Sequence, residues 1–306
     1  MSLPSFAQIR RAARRGDPIT VAVGAAADRE LLEAVLHVSE EGICRALLYG
    51  PEDEVRSLLT DLEPRGEESW GRTLHIVDTP EPAAAAAAAV RAVAHGEAGV
   101  LMKGLVESSV ILSALLDKEK GLRTDRLLSH VGLFEIPRFP RLLAVSDAAM
   151  NIAPDLEKKR QILLNGVAFL SGLGLEEPKV ALLCAKETVS EKMPCTVDAA
   201  ELTRLGADGE ITGCLISGPY ALDNAVSREA AAHKGITGPV AGAADLLLVP
   251  DIEAGNILYK SLAFLAGART AGVLLGASAP VVLTSRADSA ETRANSIALA
   301  VRFAQG

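Results

Sequence analysis

Residues 19–51 read ITVAVGAAADRELLEAVLHVSEEGICRALLYGP. Ile19–Val23 is short and rich in β-branched residues, as expected of a buried strand. From Asp28 to Ser39 the apolar residues Leu31, Leu32, Val35 and Leu36 recur at helical spacing. Arg45–Tyr49 is a second short apolar run, and Gly50-Pro51 ends it. Strand, helix and strand in this order predict a parallel sheet with right-handed crossovers.

The same pattern extends outward. Leu74–Val77, Gly99–Met102, Leu142–Val145, Lys179–Cys184, Ile211–Ile216, Asp245–Val249 and Val281–Leu283 read as further strands. The run Ala83–Ala89 continues a helix towards Gly96, since alanine is the best helix former. At 306 residues the chain has length for about two domains, with Arg138–Arg141 as a crossing point. The 49% hydrophobic content excludes intrinsic disorder, and the 3% aromatic content requires a core of Ala, Leu, Val and Ile.

Charge and motifs narrow the class. A net charge of -8 argues against a nucleic-acid partner. No run of 18 apolar residues exists and the Arg-rich start has no apolar core, so neither a membrane span nor a signal peptide is expected. Arg10, Arg11, Arg14 and Arg15 read as the solvated face of a first helix. Cys44, Cys184, Cys195 and Cys214 form no C-x-x-C pair and read as free thiols of a reducing, cytoplasmic protein. No zinc-ligand pattern appears, and both nucleotide-binding glycine fingerprints are missing.

In parallel sheets ligands sit beyond the carboxyl ends of the strands. Lys103-Gly104, Ser146-Asp147, Ser217-Gly218-Pro219, Pro250–Asn256 and Thr284-Ser285-Arg286 follow five of the expected strands. Ser285 and Arg286 precede a helix capped by Asp288 or Ser289, which makes an anion site; the plain alternative is an arginine in a surface loop. Lys103 is either a point charge for a phosphate or a solvated lysine. Asp251 and Glu253 either line a cleft or serve as acidic first-turn residues of a helix.

Taken together, these segments resemble the phosphate acetyl/butyryltransferase family. The resemblance is carried in order by Leu101–Gly104, Ser146–Asp155, Lys192-Met193-Pro194 with Asp198, Gly218-Pro219 with Leu222–Ala225, Pro250–Asn256 and Ser285–Thr292. It implies a two-domain, three-layer αβα fold with mostly parallel sheets, similar to isocitrate and isopropylmalate dehydrogenases. The active cleft would lie between residues 1–138 with 275–306 and residues 139–274. It implies a homodimer or an assembly of dimers. It also implies reversible transfer of a short acyl group, butyryl first and acetyl as the alternative, from coenzyme A to phosphate, giving acyl phosphate.

Coenzyme A is then a substrate, with no tightly bound cofactor and no metal. Arg286 would bind the phosphoryl group, Ser285 the thioester, and Lys103 a further anionic oxygen. Gly104, Asp147, Asn151, Asp223, Asp251, Glu253, Asn256 and Thr292 would shape the substrate site. One departure stands out. Thr292 occupies the place where phosphate acetyltransferases carry an aspartate base, and threonine cannot serve as that base; this points towards the butyryl-type branch. Two rivals stay open: a dehydrogenase of similar fold using Asp245, Asp251 and Glu253 for a divalent metal, and a non-catalytic CoA-binding module.

Overall fold

The computed structural model describes residues 5–285 and 287–306. It divides into two compact units, residues 6–126 with 271–306 and residues 127–270. The first begins with α1 (Phe6–Arg15), β1 (Ile19–Gly24), α2 (Arg29–Glu40), β2 (Cys44–Gly50), α3 (Glu52–Leu62), α4 (Glu67–Trp70), β3 (Leu74–Asp78), α5 (Pro82–Ala94), β4 (Val100–Lys103) and α6 (Ser108–Leu115). The second holds β5 (Ser129–Glu135), β6 (Leu143–Ser146), α7 (Leu156–Gly172), β7 (Lys179–Leu183), α8 (Pro194–Ala207), β8 (Leu215–Tyr220), α9 (Leu222–Val226), α10 (Arg228–His233), β9 (Leu246–Leu248) and α11 (Ile252–Lys260), which runs into a π-helical turn, Ser261–Leu265. The chain then adds β10 (Arg269–Leu275), β11 (Val281–Val282) and α12 (Ala290–Ala304).

Both units are α/β with mostly parallel strands. In the first the order is β3-β2-β1-β4-β11-β10, and only β10–β11 is antiparallel. In the second it is β5-β6-β9-β7-β8, and only β5–β6 is antiparallel. Val21, Ala22, Val23, Val100, Leu101 and Met102 are all fully buried, which explains the unbroken apolar runs. Arg10 of α1 is pinned by Glu41 at 2.7 Å rather than left to solvent.

Three strands differ from the sequence reading. The run expected as a strand at Ile211–Ile216 starts late, at Leu215, because Gly213 takes a left-handed φ of +79°. Ser217, Gly218 and Pro219, expected in a turn, lie inside β8. Pro219 is tolerated because β8 is the outer strand, where a missing N–H breaks no central ladder. β5 and β10 were not anticipated. Ser129, His130 and Gly132 interrupt the apolar pattern of β5, and Arg269 and Thr270 open β10.

One ion pair fixes the helices that flank the first sheet. Arg293 of α12 is buried, and its Nη1 donates to Asp28 Oδ1 at 2.7 Å. Asp28 also caps α2 by accepting from the Leu31 N–H. Arg293 Nε donates to the carbonyl of Asp288, so the same side chain holds the turn after β11. Replacing Arg293 by alanine leaves Asp28 without its partner. The expected loss is about 2 kcal/mol, measured as a lower urea midpoint at unchanged m value.

Candidate active site

The first unit gathers three loops at the carboxyl ends of neighbouring parallel strands. Gly24 pairs with Lys103 across β1 and β4, and Val282 with Met102 across β11 and β4. Lys103–Gly104 and Thr284-Ser285 therefore leave the sheet side by side. Gly104 has to be glycine: a Cβ there would lie 2.0 Å from the carbonyl oxygen of Ala25. That close approach lets the Gly104 and Leu105 N–H groups bond to the carbonyls of Gly24 and Ala25 at 2.8 and 2.7 Å. Lys103 is buried, and its Nζ donates to the carbonyls of Gly104 and Val106 at 3.2 and 3.0 Å. It holds the turn together from beneath, instead of extending into solvent.

Ser285 is exposed at the end of this edge. Its N–H donates to Asp288 Oδ2 at 2.7 Å, and its hydroxyl oxygen accepts from the Ala287 N–H at 3.3 Å. Ser289, not Asp288, caps α12, accepting from the Thr292 N–H at 3.2 Å. Thr292 thus stands in the first turn of α12, and the Ser289 hydroxyl also donates to its Oγ1 at 3.3 Å. Arg286 lies outside the described residues.

In the second unit two further segments lock onto each other. Asp147 is buried; its Oδ1 accepts from the N–H groups of Ala149 and Met150, and its Oδ2 from Asn151 Nδ2 at 2.6 Å. The Asn151 amide also donates to the Leu128 carbonyl at 2.9 Å. Asp251 caps α11 by accepting from the Ala254 N–H at 2.8 Å. The start of α11 rests on the 147–152 turn: Asn256 Nδ2 donates to the Ala148 carbonyl at 3.3 Å, and the Ile252 N–H to the Ile152 carbonyl at 3.0 Å. Glu253 is exposed in the first turn of α11. Asp223 sits apart from this group, exposed and paired with Lys234 at 3.2 Å. Lys234 also bonds to Glu187, and it holds the Glu187 carboxyl below the usual carboxylate range.

Asp245 and Asp251 stand at opposite ends of β9. Asp245, at the amino end, accepts from the Lys179 N–H, and burial pushes its carboxyl up. The aspartate set that a metal-dependent dehydrogenase would need is therefore not assembled. Among the described residues no group of three or more His, Cys, Asp or Glu side chains is arranged to hold a metal ion.

A cavity of about 630 Å³ opens wholly within the second unit. Its walls come from the segments after β6 (Ala153–Leu156 and Lys159), after β7 (Ala185 and Met193–Cys195 with Asp198) and after β9 (Pro250 and Asp251). Lys159 is buried, and its Nζ is 2.6 Å from Asp198 Oδ2. The sequence reading missed Lys159 and Arg293. Lys159 falls in the run Glu157-Lys158-Lys159-Arg160, which looks like a solvated helix face, and its partner is 39 residues away.

Comparison with known proteins decides the family. Residues 65–301 match the family model described as phosphate acetyl/butaryl transferase. The chain belongs to this family. It is 45% identical to the phosphate butyryltransferase of Clostridium acetobutylicum over 99% of both chains. It is also 47% identical to the phosphate acetyltransferase of Thermotoga maritima, over 95% of this chain and 97% of that one. Among solved structures, a branched-chain phosphotransacylase from Enterococcus faecalis V583 superposes with a TM-score of 0.81 at 35% identity, covering 94% of this chain and 99% of that one. Family membership makes the chain an acyltransferase. No helix among the described residues is long and apolar enough to cross a membrane.

The cysteines give this site a chemical probe. Burial pushes the Cys44 and Cys184 thiols up to about 12 and Cys214 up to about 11, whereas Cys195 lines the cavity and is partly exposed. Only the thiolate is nucleophilic. Iodoacetamide at pH 8 is therefore expected to modify Cys195 first in the native protein, and Cys44 and Cys184 only after unfolding. Peptide mass spectrometry over a time course checks this order.

Proposed function

We propose that the chain moves a short acyl group reversibly between coenzyme A and phosphate, with butyryl-CoA as the preferred donor. The observation that carries this reading is the single edge in the first unit formed by Lys103-Gly104, Ser285 and the amino end of α12. It occurs in a chain nearly half identical to a phosphate butyryltransferase. Acetyl-CoA is the second reading, favoured by the comparable identity to a phosphate acetyltransferase. Coenzyme A enters and leaves as a substrate. We place the reaction in the cytoplasm, in keeping with four free cysteines.

In this mechanism phosphate attacks the thioester carbonyl directly. A tetrahedral oxyanion forms, and coenzyme A then leaves as its thiolate. A thiol of ordinary pKa, about 8.5, is a competent leaving group. Acyl-phosphate formation therefore needs no aspartate at the position of Thr292. Ser285 donates its hydroxyl hydrogen to the carbonyl oxygen as charge develops there, the kind of interaction that lowers a barrier most. Arg286 grips two phosphate oxygens with its planar fork. Lys103 supplies positive potential from beneath the turn while its bonds to Gly104 and Val106 fix the loop.

In the second unit Asp147, Asn151, Asp251 and Asn256 serve as positioning residues, because their polar groups build the turn and the α11 cap. Gly104 permits the close loop contact and Thr292 orders the first turn of α12, while Glu253 and Asp223 are exposed carboxylates of the second unit that we keep as substrate-binding candidates. The two units correspond to the two domains of this reading. We also propose a homodimer formed through α11 and its π-helical turn. Ile257, Phe264 and Leu265 there are 67%, 69% and 85% exposed, an apolar face that a second copy would cover.

The reaction is tested by CoA release from acetyl-, propionyl-, butyryl- and isobutyryl-CoA, with and without phosphate, read with a thiol-reactive dye. Phosphate-dependent release, greatest in kcat/KM for butyryl-CoA, is expected. Ser285→Ala should lower kcat about 100-fold, and Arg286→Ala should abolish most turnover without changing the melting temperature. Absence of phosphate-dependent release with all four thioesters overturns the reading. For the assembly, Phe264→Glu with Leu265→Asp is expected to convert a dimer into a monomer in light scattering after size exclusion. A dimer that survives both changes places its interface elsewhere.

A further inference from the structure

We infer that the 630 Å³ cavity of the second unit receives the acyl chain of the thioester. This inference rests on the acyl-transfer reading above. The cavity lies beyond the carboxyl ends of β6, β9 and β7, three adjacent parallel strands, where open α/β sheets take their ligands. The three segments that wall it are family-resembling blocks of the sequence.

Its chemistry selects an uncharged guest. Ala153, Pro154, Leu156, Ala185, Met193 and Pro194 provide apolar surface. The ammonium of Lys159, the one cation among the described residues of the lining, is engaged by Asp198 at 2.6 Å. The amino ends of α7, α8 and α11 all reach the cavity, and such ends attract anions. Two of the three are already occupied by carboxylates of the chain: Asp155 accepts from the Lys158 N–H at 2.9 Å and Asp251 from the Ala254 N–H at 2.8 Å. With Lys159 and Asp198 cancelling as a pair, a phosphate would face Asp155 and Asp251, and so would the diphosphate of coenzyme A. A hydrocarbon chain meets no such opposition and leaves water for an apolar wall. The pantetheine arm is also uncharged, and the test separates it from the acyl chain.

Kinetics of wild type, Ala185→Leu and Met193→Ala with acetyl-, butyryl- and hexanoyl-CoA decide the matter. Ala185→Leu narrows the cavity and should lower the butyryl-to-acetyl ratio of kcat/KM about tenfold. Met193→Ala widens it and should raise the hexanoyl-to-butyryl ratio by a similar factor. Ratios unchanged in both variants overturn the inference. An equal rise in KM for every thioester also overturns it, because it assigns the cavity to the pantetheine arm. A second readout requires no turnover: saturating butyryl-CoA should slow iodoacetamide modification of Cys195 in the wild type several-fold more than acetyl-CoA does. Equal rates overturn the inference. If no thioester gives phosphate-dependent CoA release, the acyl-transfer reading falls on that result alone, and the alkylation rates still decide whether the cavity takes the acyl chain.

Discussion

The candidate site depends on backbone being allowed to touch backbone. A methyl group on Gly255 would lie 2.7 Å from the carbonyl oxygen of Asp147 and 3.0 Å from the Cα of Ala148. Its absence lets α11 settle on the turn after β6, where Asn256 and Ile252 complete the hydrogen bonding. Gly104 does the same in the other unit, against the end of β1. At both places a loop of the candidate site is held by main-chain contacts at van der Waals limits. Close-packed contacts of this kind leave little freedom to relax, so the polar groups they carry are placed before any substrate arrives.

The polar residues of the site divide by what their atoms already do. Asp147, Asn151, Asp251 and Ser289 use their acceptors and donors on nearby main chain, so their contribution is geometric. Lys103 is likewise engaged, buried under the loop it stabilises. Ser285 is an exposed hydroxyl in the loop after β11, whose neighbour β4 is buried and apolar at Leu101 and Met102. This division fits the proposed catalysis by positioning and charge stabilisation, in which many residues hold the frame and few act on the substrate.

How much of this was legible in the sequence follows from where each signal resides. Parallel strands buried on both faces announce themselves as apolar runs, so β1, β2, β4, β7 and β9 were readable within a residue or two. β5 and β10, each with one antiparallel neighbour, were hidden by His130, Gly132, Arg269 and Thr270, and β8 by the turn at Gly213. Most strand-end polar blocks were legible as such because topology alone puts them after the strands. Pairings across long sequence separations were not. Nothing near Lys159 foretells Asp198, and nothing near Arg293 foretells Asp28, 265 residues earlier. The carboxylates of Asp147 and Asp251 looked available for substrate, because a sequence does not reveal that a turn or a helix cap has already claimed them.

Pro219 carries a consequence for life in a crowded solution. It sits in β8, the outermost strand of its sheet among the described residues. Such a rim is a template on which a strand from another molecule could assemble, the first step towards aggregates. A proline in an edge strand removes one ladder donor, a common means of blunting such a template. The residue that looked like a turn signal instead helps to keep the sheet finite.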